Sequence, residues 1–536
     1  MPSFSKKPVD FAHTNSFSNL VLDYLSSSER LDKFQSFSFN SVAFGNKINQ
    51  RSKLPVHRKL LKEVISGQYQ KMSGLISVSP LVEKNISLLE KETTFTVTTG
   101  HQLNLFTGPL YFIYKIVSTI KLADTLRQTY PEYEFVPVYW MASEDHDLEE
   151  INHIHLFGKK IIWEPLNKGA AGRIGCTGIS QVIDGVSTML AGNPQAEKIM
   201  SLFSKAYSES NNLADATRII IHEIFSQHGL VILNADDARL KKIFISEMKD
   251  DVVNHTSFQL VNETIEELGK NYKVQVHPRE INLFYLGDNF RERIVEESGS
   301  FSVLNTTLKF SKEELLEEIE NHPEKFSPNV VMRPLYQEII LPNLAYIGGP
   351  AEISYWLEYK KMFQHYGAEL PVLVLRNCLM IVDAATRDKF LKLGLEPEDV
   401  FLNEEDLIKK YLKLKSSQEF SIDALVSKAD SLFNETLAQV NDIDPTLKPS
   451  VEAEKQKMIN GLKSLEERIR RSEKKKHETA VNQVRKLKEK LFPENKLQER
   501  HENLLTYYSK YGDDFLAELI RHTNPFEKKF IILEEE

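Results

Sequence analysis

The sequence predicts an α/β protein in which a doubly wound core with a mostly parallel sheet precedes a charged, α-helical coiled-coil region. Two observations predict the core. A strand, a helix and a second strand follow one another within residues 93–141, and a similar order of apolar run, turn and helix returns twice later. A third observation, apolar residues at alternating three- and four-residue steps beyond residue 396, predicts the coiled coil.

The first strand–helix–strand unit has the clearest pattern. Thr93–Thr98 is rich in β-branched residues and predicts a strand that Gly100 closes. Pro109 then opens a helical pattern from which Lys115 falls away, with apolar residues at Ile113, Ile116, Val117 and Ile120. Phe135–Met141 is a continuous apolar run, which is typical of a strand buried on both faces.

The later units extend this core over residues 93–395. Gly229–Leu233 is an apolar run before an acidic turn and a helix. Leu344–Ile347 leads into Gly348-Gly349-Pro350 and another helix, and Pro371–Leu375 supplies a further strand. Two stretches, 166–225 and 285–330, are too long for simple loops, and we expect partly helical inserted segments there. Residues 1–92 are expected to form a helical segment packed on the core.

Residues 396–512 predict the coiled-coil domain. The first helix carries one apolar face, and a proline-containing turn at 445–449 separates it from a second helix. This arrangement predicts an antiparallel hairpin whose narrow stripe pairs with another helix or with a second copy of the chain. The apolar face of the first helix consists of Ile422, Leu425, Ala429, Leu432, Thr436 and Val440. Residues 513–536 are expected to return to the core.

Composition excludes several classes of protein. A formal charge of −9 argues against general nucleic-acid binding. Cys176 and Cys378 lie far apart, so a disulfide framework or a cysteine-ligated zinc is not expected. The beginning of the chain has no secretory apolar region, and no run of about 18 apolar residues predicts a membrane span. We therefore expect a cytoplasmic protein without nucleic-acid or membrane partners.

The first candidate site lies where the first strand meets its helix. Gly100, His101 and Gln102 begin this segment, and Thr107 and Gly108 end it before Pro109. Ligands of open α/β sheets bind at the carboxyl ends of the strands, and a helix N-terminus attracts phosphate or carboxylate. The histidine and the glutamine would add side-chain donors. The competing interpretation is a tight connection whose histidine satisfies a backbone carbonyl.

The second candidate is the acidic run Glu144, Asp145, His146 and Asp147, directly after the strand 135–141. Such a cluster could hold Mg²⁺ beside a nucleotide, bind an ammonium group, or act as a general base on an amine. A solvated turn that caps the next helix is the alternative. The nearby histidines fit none of the strong zinc spacings, so no metal ligands are assigned.

The third candidate repeats the strand–glycine–helix order. Gly348 and Gly349 precede a helix start that offers a second anion or ribose site, and Glu352 could bind a hydroxyl or an amine. Arg333 is a candidate clamp for phosphate or carboxylate. The sequence lacks the phosphate loop, the dinucleotide fingerprint and the nucleophile elbow, which disfavours P-loop ATPases, simple NAD dehydrogenases and α/β-hydrolases.

These motifs resemble a known family, the cysteine ligases of bacillithiol biosynthesis (the BshC family). Three strings carry the resemblance in the same order and at similar spacing, as does the charged helical segment that follows them: TTGHQLNLFTGPLYFIYKIVSTIKLA (98–123), VPVYWMASEDHDLEEINHIHLF (136–157) and LPNLAYIGGPAEISYWLEYKKMF (341–363). The resemblance implies a Rossmann-like, nucleotidyltransferase-like core with connecting insertions and a coiled-coil domain that forms a homodimer.

The resemblance also implies a reaction, the addition of cysteine to glucosaminyl malate through an amide bond, with ATP as the expected activator and Mg²⁺ as an expected companion. His101 would stabilise charge on the phosphoryl group. Asp145 or Asp147, with His146, would accept the amine proton. Arg333 would hold the malate. Two other functions stay open: a nucleotidyltransferase that adenylates a small acid, and a non-catalytic coiled-coil scaffold.

Overall fold

A computed structural model describes residues 3–37, 39–415 and 422–536. Residues 416–421, which belong to the predicted coiled-coil domain, lie outside these ranges, as do residues 1, 2 and 38 of the predicted N-terminal segment. The chain divides into two compact units. The first comprises Met1–Met380, Leu497–Glu534 and Glu536, and the second comprises Ile381–Lys496 and Glu535.

Strands and helices alternate through most of the first unit, and the bounds of the elements of both units are as follows. The strands are β1 Phe4–Val9, β2 Thr94–His101, β3 Glu134–Met141, β4 His153–Leu156, β5 Lys159–Ile162, β6 Val231–Asn234, β7 Leu283–Leu286, β8 Arg291–Glu297, β9 Ser300–Val303, β10 Lys309–Phe310, β11 Phe326–Pro328, β12 Asn343–Gly348, β13 Val372–Leu375, β14 Cys378–Val382 and β15 Phe530–Glu535. The helices are α1 Asn19–Leu25, α2 Ser41–Arg51, α3 Arg58–Gln70, α4 Pro80–Leu88, α5 Leu110–Thr129, α6 Leu148–Ile151, α7 Ile179–Met189, α8 Pro194–Glu209, α9 Leu213–Phe225, α10 Ala238–Lys241, α11 Ile245–Asn254, α12 Thr256–Leu268, α13 Lys312–Asn321, α14 Met332–Ile340, α15 Pro350–Trp356, α16 Lys360–His365, α17 Ala384–Leu393, α18 Glu404–Lys415, α19 Asp423–Ile443, α20 Lys448–Lys476, α21 Glu478–Leu491, α22 Leu504–Tyr511 and α23 Asp513–His522.

The centre of the first unit is a five-stranded sheet in the order β13-β12-β2-β3-β6, and all four of its strand pairings are parallel. Counted along the chain, this is the doubly wound order 3-2-1-4-5, whose direction reverses between β2 and β12. The predicted α/β class with a parallel sheet is confirmed. Both strands at the reversal are buried along their whole length, as their apolar and β-branched residues predict.

The register brings the sequence motifs to one edge of this sheet. Gly100 and His101 of β2 lie opposite Trp140 and Met141 of β3, so the acidic run follows directly at the same edge. On the other side, β12 pairs with β2 so that Gly348 comes level with Gly100. The carboxyl ends of three neighbouring strands therefore meet at the reversal of strand order.

The two long insertions differ from each other. Residues 166–225 are largely helical and hold α7, α8 and α9. Residues 285–330 contain helix α13 but also most of an antiparallel sheet in the order β10-β9-β8-β7-β11. Little in the sequence predicts this sheet, because β8 mixes five charged residues with two apolar ones and β11 pairs with the distant strand β7, for example Phe326 with Tyr285.

The second unit is mainly helical. Helices α19 and α20 pack against each other on either side of a short proline-containing turn, and Lys455 forms a 2.9 Å ion pair with Asp430. The predicted coiled-coil helices are thus present, with α20 beginning at Lys448 and including Pro449 in its first turn, where proline is tolerated. Several apolar side chains of the hairpin remain exposed: Leu425, Leu432, Met458 and Leu465.

In the described ranges we find no helix that is both long enough and apolar enough to cross a bilayer.

Candidate active site

A cavity of about 780 Å³ opens at the reversal of strand order. One side, which we call the strand-edge wall, consists of the carboxyl ends of β2, β3 and β12 together with helices α5 and α15. The opposite side, which we call the arginine wall, carries Arg279, Arg291 and Arg293 from the β7–β8 hairpin and the segment before it. The cleft therefore lies where doubly wound sheets bind their ligands.

The strand-edge wall contains most of the residues singled out in the sequence. Those that line the cavity are Gly100, His101, Gln102, Glu144, Asp145, Arg333 and Glu352. The remaining candidates do not line it: Thr107, Gly108, His146, Asp147, Gly348 and Gly349. The three separate sequence motifs are thus brought to a single cavity, each through part of its residues.

A buried ion pair joins the two strands at the reversal. The Lys115 side chain is only 2% exposed, and its Nζ donates to the Gly100 carbonyl at 2.5 Å and lies 2.7 Å from Glu352 Oε2. Tyr346 Oη donates to the same carboxylate at 2.5 Å, as does the backbone N–H of Gly349 at 2.7 Å. Burial alone would raise the pKa of Glu352, but Lys115 and these donors bring it below its usual value. Glu352 is therefore an ionised carboxylate that ties β12 to α5.

Gly100 leaves room for this network. A Cβ placed on it would lie 3.1 Å from Tyr346 Oη, closer than almost all real contacts. Gly108 is required for a different reason, its backbone conformation. Its φ of +61° is a left-handed conformation, and a Cβ there would meet Asn104 Cβ at 2.5 Å. Asn503 closes this second turn by donating to the carbonyls of Phe106 and Gly108 at 3.0 and 2.6 Å. The turn before α5 is thus a buried structural element outside the cavity.

His101 is a neutral, buried ring at the edge of the cavity. It packs on Phe112 with ring centroids 4.5 Å apart and on Tyr111 at 5.3 Å. Burial holds its pKa well below the usual value, and the positive charges of Lys115 and Arg376 act in the same direction. Its Nε2 makes no hydrogen bond with any described residue. The imidazole can therefore offer one neutral hydrogen bond to a ligand.

Asp145 and Glu150 share one amide group. Gln102 Nε2 donates to Asp145 Oδ2 at 2.6 Å and to Glu150 Oε2 at 2.7 Å, and both carboxylates line the cavity. The other oxygen of Asp145 accepts from the backbone N–H of His146 at 2.8 Å. The Asp145 side chain stays 34% exposed. Two carboxylates held this close, with lone pairs left over, suit a divalent cation or an ammonium group.

Glu144 belongs to a network of ion pairs. It pairs with Lys241, whose side chain is 1% exposed and which also lies 3.2 Å from Asp236. Arg173 binds the same aspartate through two contacts of 2.8 Å. This network fixes the turn after β3 in place. Burial raises the pKa of Glu144.

His146 and Asp147 do not line the cavity. His146 Nδ1 accepts a hydrogen bond from Arg291 Nη1 at 2.8 Å, which leaves the proton of the neutral ring on Nε2. Its pKa is lowered by burial and by Arg291. Asp147 caps α6 by accepting from the backbone N–H of Glu150 at 3.4 Å. The geometry thus supports the helix-capping alternative for Asp147. Of the two aspartates, only Asp145 lines the cavity.

Arg333 lines the cavity beside aromatic rings. Its Nη1 donates to Gln337 Oε1 at 3.0 Å, and its guanidinium lies 5.8 and 6.0 Å from the ring centroids of Tyr346 and Trp356. In the described part of the chain it forms no ion pair with a carboxylate. It is placed to meet an anion at the strand-edge wall.

The sequence reasoning missed the arginine wall and misread one lysine. Arg279, Arg291, Arg293 and His277 line the cavity but belong to an insertion without a recognisable motif. In the sequence Lys115 merely lies off the apolar stripe of α5, yet in the structure it is buried beneath the cleft. The signal for this residue is a lysine within 110–117, a stretch of α5 that is otherwise apolar and aromatic.

The sheet order and the position of the cleft define an α/β protein of the Rossmann-like class with its ligand site at the switch in strand order. Two family descriptions match it: "Bacillithiol biosynthesis BshC, N-terminal Rossmann-like domain" over residues 5–377 and "Bacillithiol biosynthesis BshC, C-terminal coiled-coil domain" over residues 379–535. The chain belongs to the BshC family of bacillithiol biosynthesis, which confirms the resemblance of the three sequence strings.

Curated relatives match nearly the whole chain. A protein of Christiangramia forsetii is 41% identical over 532 residues, covering 98% of both chains. One of Flavobacterium psychrophilum is 42% identical over 530 residues with the same coverage, and one of Flavobacterium johnsoniae is 41% identical over 529 residues, covering 98% of this chain and 99% of its own. All three are named "Putative cysteine ligase BshC".

Proposed function

We propose that this chain joins the carboxyl group of cysteine to the amine of glucosaminyl malate, using ATP to activate the carboxyl group. The observation that carries the proposal is the cleft itself, in which carboxylates line one wall and arginines the other. Such a cavity suits substrates that bring both an amine and several negative charges. The names of the relatives support cysteine as one of the substrates.

The reaction needs activation because a carboxylate is a poor electrophile at neutral pH. Attack of the cysteine carboxylate on a phosphorus of ATP would give an adenylate with release of pyrophosphate, or an acyl phosphate with release of ADP. The amine of glucosaminyl malate then attacks the acyl carbon, AMP or phosphate leaves, and one proton is lost from nitrogen. Asp145 is our candidate to orient the amine and accept this proton, since its carboxylate faces the cavity.

The phosphate groups would lie along the strand-edge wall. Arg333 and the unpartnered Nε2 of His101 supply a cation and a neutral donor there. Glu150, which lines the cavity beside Asp145, provides carboxylate oxygens of the kind that Mg²⁺ prefers. Mg²⁺ would neutralise part of the phosphate charge.

The test is a reaction of the purified chain with cysteine, glucosaminyl malate, ATP and Mg²⁺, followed by mass spectrometry of thiols and nucleotides. We expect bacillithiol, with AMP and pyrophosphate or with ADP and phosphate in equal amounts. Release of pyrophosphate that does not depend on the amine would favour the adenylating alternative. Thiol profiles of the host with and without the gene complete the test, since unchanged bacillithiol after gene loss would contradict the proposal.

We also propose that the hairpin α19–α20 forms a homodimer. Its support is the row of exposed apolar residues, with Leu432 at 56% and Met458 at 45% exposure. Leu432→Glu should convert a dimer to a monomer in light scattering coupled to size exclusion. A monomeric wild type would contradict this proposal and would leave the catalytic proposal untouched.

A further inference from the structure

The arginine wall is built on one face of an antiparallel hairpin. Arg291 and Arg293 are two residues apart on β8, so their side chains leave the strand on the same face. Arg293 lies directly opposite Phe284 of β7. The register of the hairpin therefore points two guanidinium groups towards the cavity that they line.

Arg291 is fixed in position by neutral groups. It is 8% exposed, its Nε donates to Ser327 Oγ at 3.0 Å, its Nη2 to the Pro328 carbonyl at 3.2 Å and its Nη1 to His146 Nδ1 at 2.8 Å. The ring of Phe284 lies 3.9 Å from the guanidinium carbon. These contacts use three of its five N–H groups and leave two free for a ligand.

Arg279 is placed by its backbone. Its N–H donates to Asn282 Oδ1 at 3.1 Å, and its carbonyl accepts from Asn282 Nδ2 at 2.7 Å. Asn282 is fully buried, so the turn that carries this arginine is anchored in the interior. The side chains of Arg279 and Arg293 make no hydrogen bond or ion pair with any residue in the described ranges.

The cations around the cleft fall into two groups. Lys115, Lys241 and Arg376 each have a carboxylate partner: Glu352, Glu144 and Glu499. For Arg333 and the three arginines of the arginine wall, the described residues supply no carboxylate within 4 Å, and Asp145 and Glu144 act on Arg291 only from a greater distance. Arg291 is buried and Arg293 is half-buried, and a guanidinium in such a position is costly to keep without a close counter-charge, whereas Arg279 is exposed. Neighbouring guanidinium groups also repel each other. A bound anion would remove both penalties.

We propose that Arg279, Arg291 and Arg293 form a dicarboxylate subsite that holds the malate end of the acceptor substrate. The inference rests on the proposed function and makes it more specific. Guanidinium groups pair with carboxylates through two parallel hydrogen bonds, and two carboxylates need at least two arginines in fixed positions. The malate would then lie against the β7–β8 hairpin, and the amine of the acceptor would reach Asp145 within the same cavity.

The first experiment measures binding without catalysis. Calorimetry with L-malate and, separately, with inorganic pyrophosphate is carried out on the full chain, on Arg293→Gln and on the control Arg521→Gln, an exposed arginine on α23. We expect malate binding to weaken about tenfold or more in Arg293→Gln, as for loss of a charge-assisted hydrogen bond, and to be unchanged in the control. Pyrophosphate binding should change less than about twofold.

The inference is wrong if malate binds Arg293→Gln as tightly as it binds the wild type, or if it does not bind the wild type at millimolar concentration. It is also wrong in a second case, in which Arg293→Gln loses as much pyrophosphate binding as malate binding. The second result would assign the wall to phosphate. Because Arg291 has many contacts, Arg291→Lys is the second variant, since it keeps the charge but loses the two-pronged geometry. Thermal unfolding of each variant shows whether the fold is intact.

A second experiment compares two acceptors, glucosaminyl malate and the uncharged methyl glucosaminide. The wild type should prefer the malate compound, and in Arg293→Gln the ratio of the two kcat/KM values should fall about tenfold. An unchanged preference contradicts the inference but leaves the proposed ligation intact. Conversely, arginine-dependent malate binding by a chain that forms no bacillithiol would contradict only the proposed ligation.

Discussion

The two walls of the cleft treat their charges in opposite ways. On the strand-edge wall, Lys115 and Lys241 each meet a carboxylate, and those carboxylates accept further hydrogen bonds. On the arginine wall, Arg291 meets only neutral acceptors and an aromatic ring. The two lysines are therefore neutralised within the fold, whereas Arg333 on the first wall and Arg291 on the second donate only to neutral side chains and carbonyls. The paired lysines therefore stabilise the site, whereas the arginines without a carboxylate partner can bind a ligand.

The largest effect should come from breaking the strand-edge wall. Lys115→Met leaves the half-buried Glu352 carboxylate without its cation, and we expect a loss of about 3 kcal/mol in the free energy of unfolding. Urea denaturation measures this loss. Lys121→Met, on the same helix but partly exposed, is the control and should change stability by less than about 1 kcal/mol.

The double variant Lys115→Met/Glu352→Gln sharpens this test. It removes both charges, so it should regain part of the stability that the single variant loses. If Lys115→Met unfolds at the same urea concentration as the wild type, the ion pair does not hold the two strands together, and the distinction between the walls fails.

The next effect concerns catalysis within the acidic run. Asp145→Asn should lower the rate of bacillithiol formation about 100-fold, because an amide cannot accept the amine proton. Asp147→Asn is the matched control. It lies two residues away, caps α6 and does not line the cavity, so its rate should stay within about threefold of the wild type. Equal losses in the two variants would contradict the assignment of Asp145.

One wall of the cleft could be predicted from the sequence and the other could not. The parallel sheet, its turns and the three motifs were predictable because each motif is continuous in the sequence and lies at a strand end. The role of Asp147 stayed open between chemistry and capping until the position of α6 was known. The arginine wall could not be predicted, since Arg279, Arg291 and Arg293 are ordinary charged residues that only long-range pairing of β7, β8 and β11 brings to the cleft. The position of the arginine wall depends on tertiary strand pairing, which no local sequence pattern encodes.

A smaller effect is expected at His101. The ring is neutral at physiological pH, because burial and two nearby cations lower its pKa. We therefore expect His101→Ala to reduce kcat about tenfold through loss of a neutral hydrogen bond. The wild-type rate should not fall near pH 6.5 on account of this group. A variant whose turnover stays within threefold of the wild type would remove His101 from the proposed chemistry.

The smallest effect links the arginine wall to the interior. Asp251 accepts hydrogen bonds from Ser257 and from the backbone N–H of Asn282, the residue that holds Arg279. Burial raises the pKa of Asp251 from 3.8 to about 7. Between these values the folded chain keeps a proton that the unfolded chain has released, so stability falls as the pH rises from about 4 to about 7.

Asp251→Asn cannot ionise, so its stability relative to the wild type should improve steadily as the pH rises through this range. Urea denaturation at pH 4.5, 6 and 7.5 measures the difference. Asp250→Asn is the control, because the pKa of Asp250 is lowered, and its linkage to stability therefore lies below pH 3.8. If the difference between Asp251→Asn and the wild type were constant with pH, Asp251 would be ionised in the folded chain. The arginine wall would then rest on a buried carboxylate, and its positive charge would already be partly balanced from behind, which would weaken the case for a bound dicarboxylate.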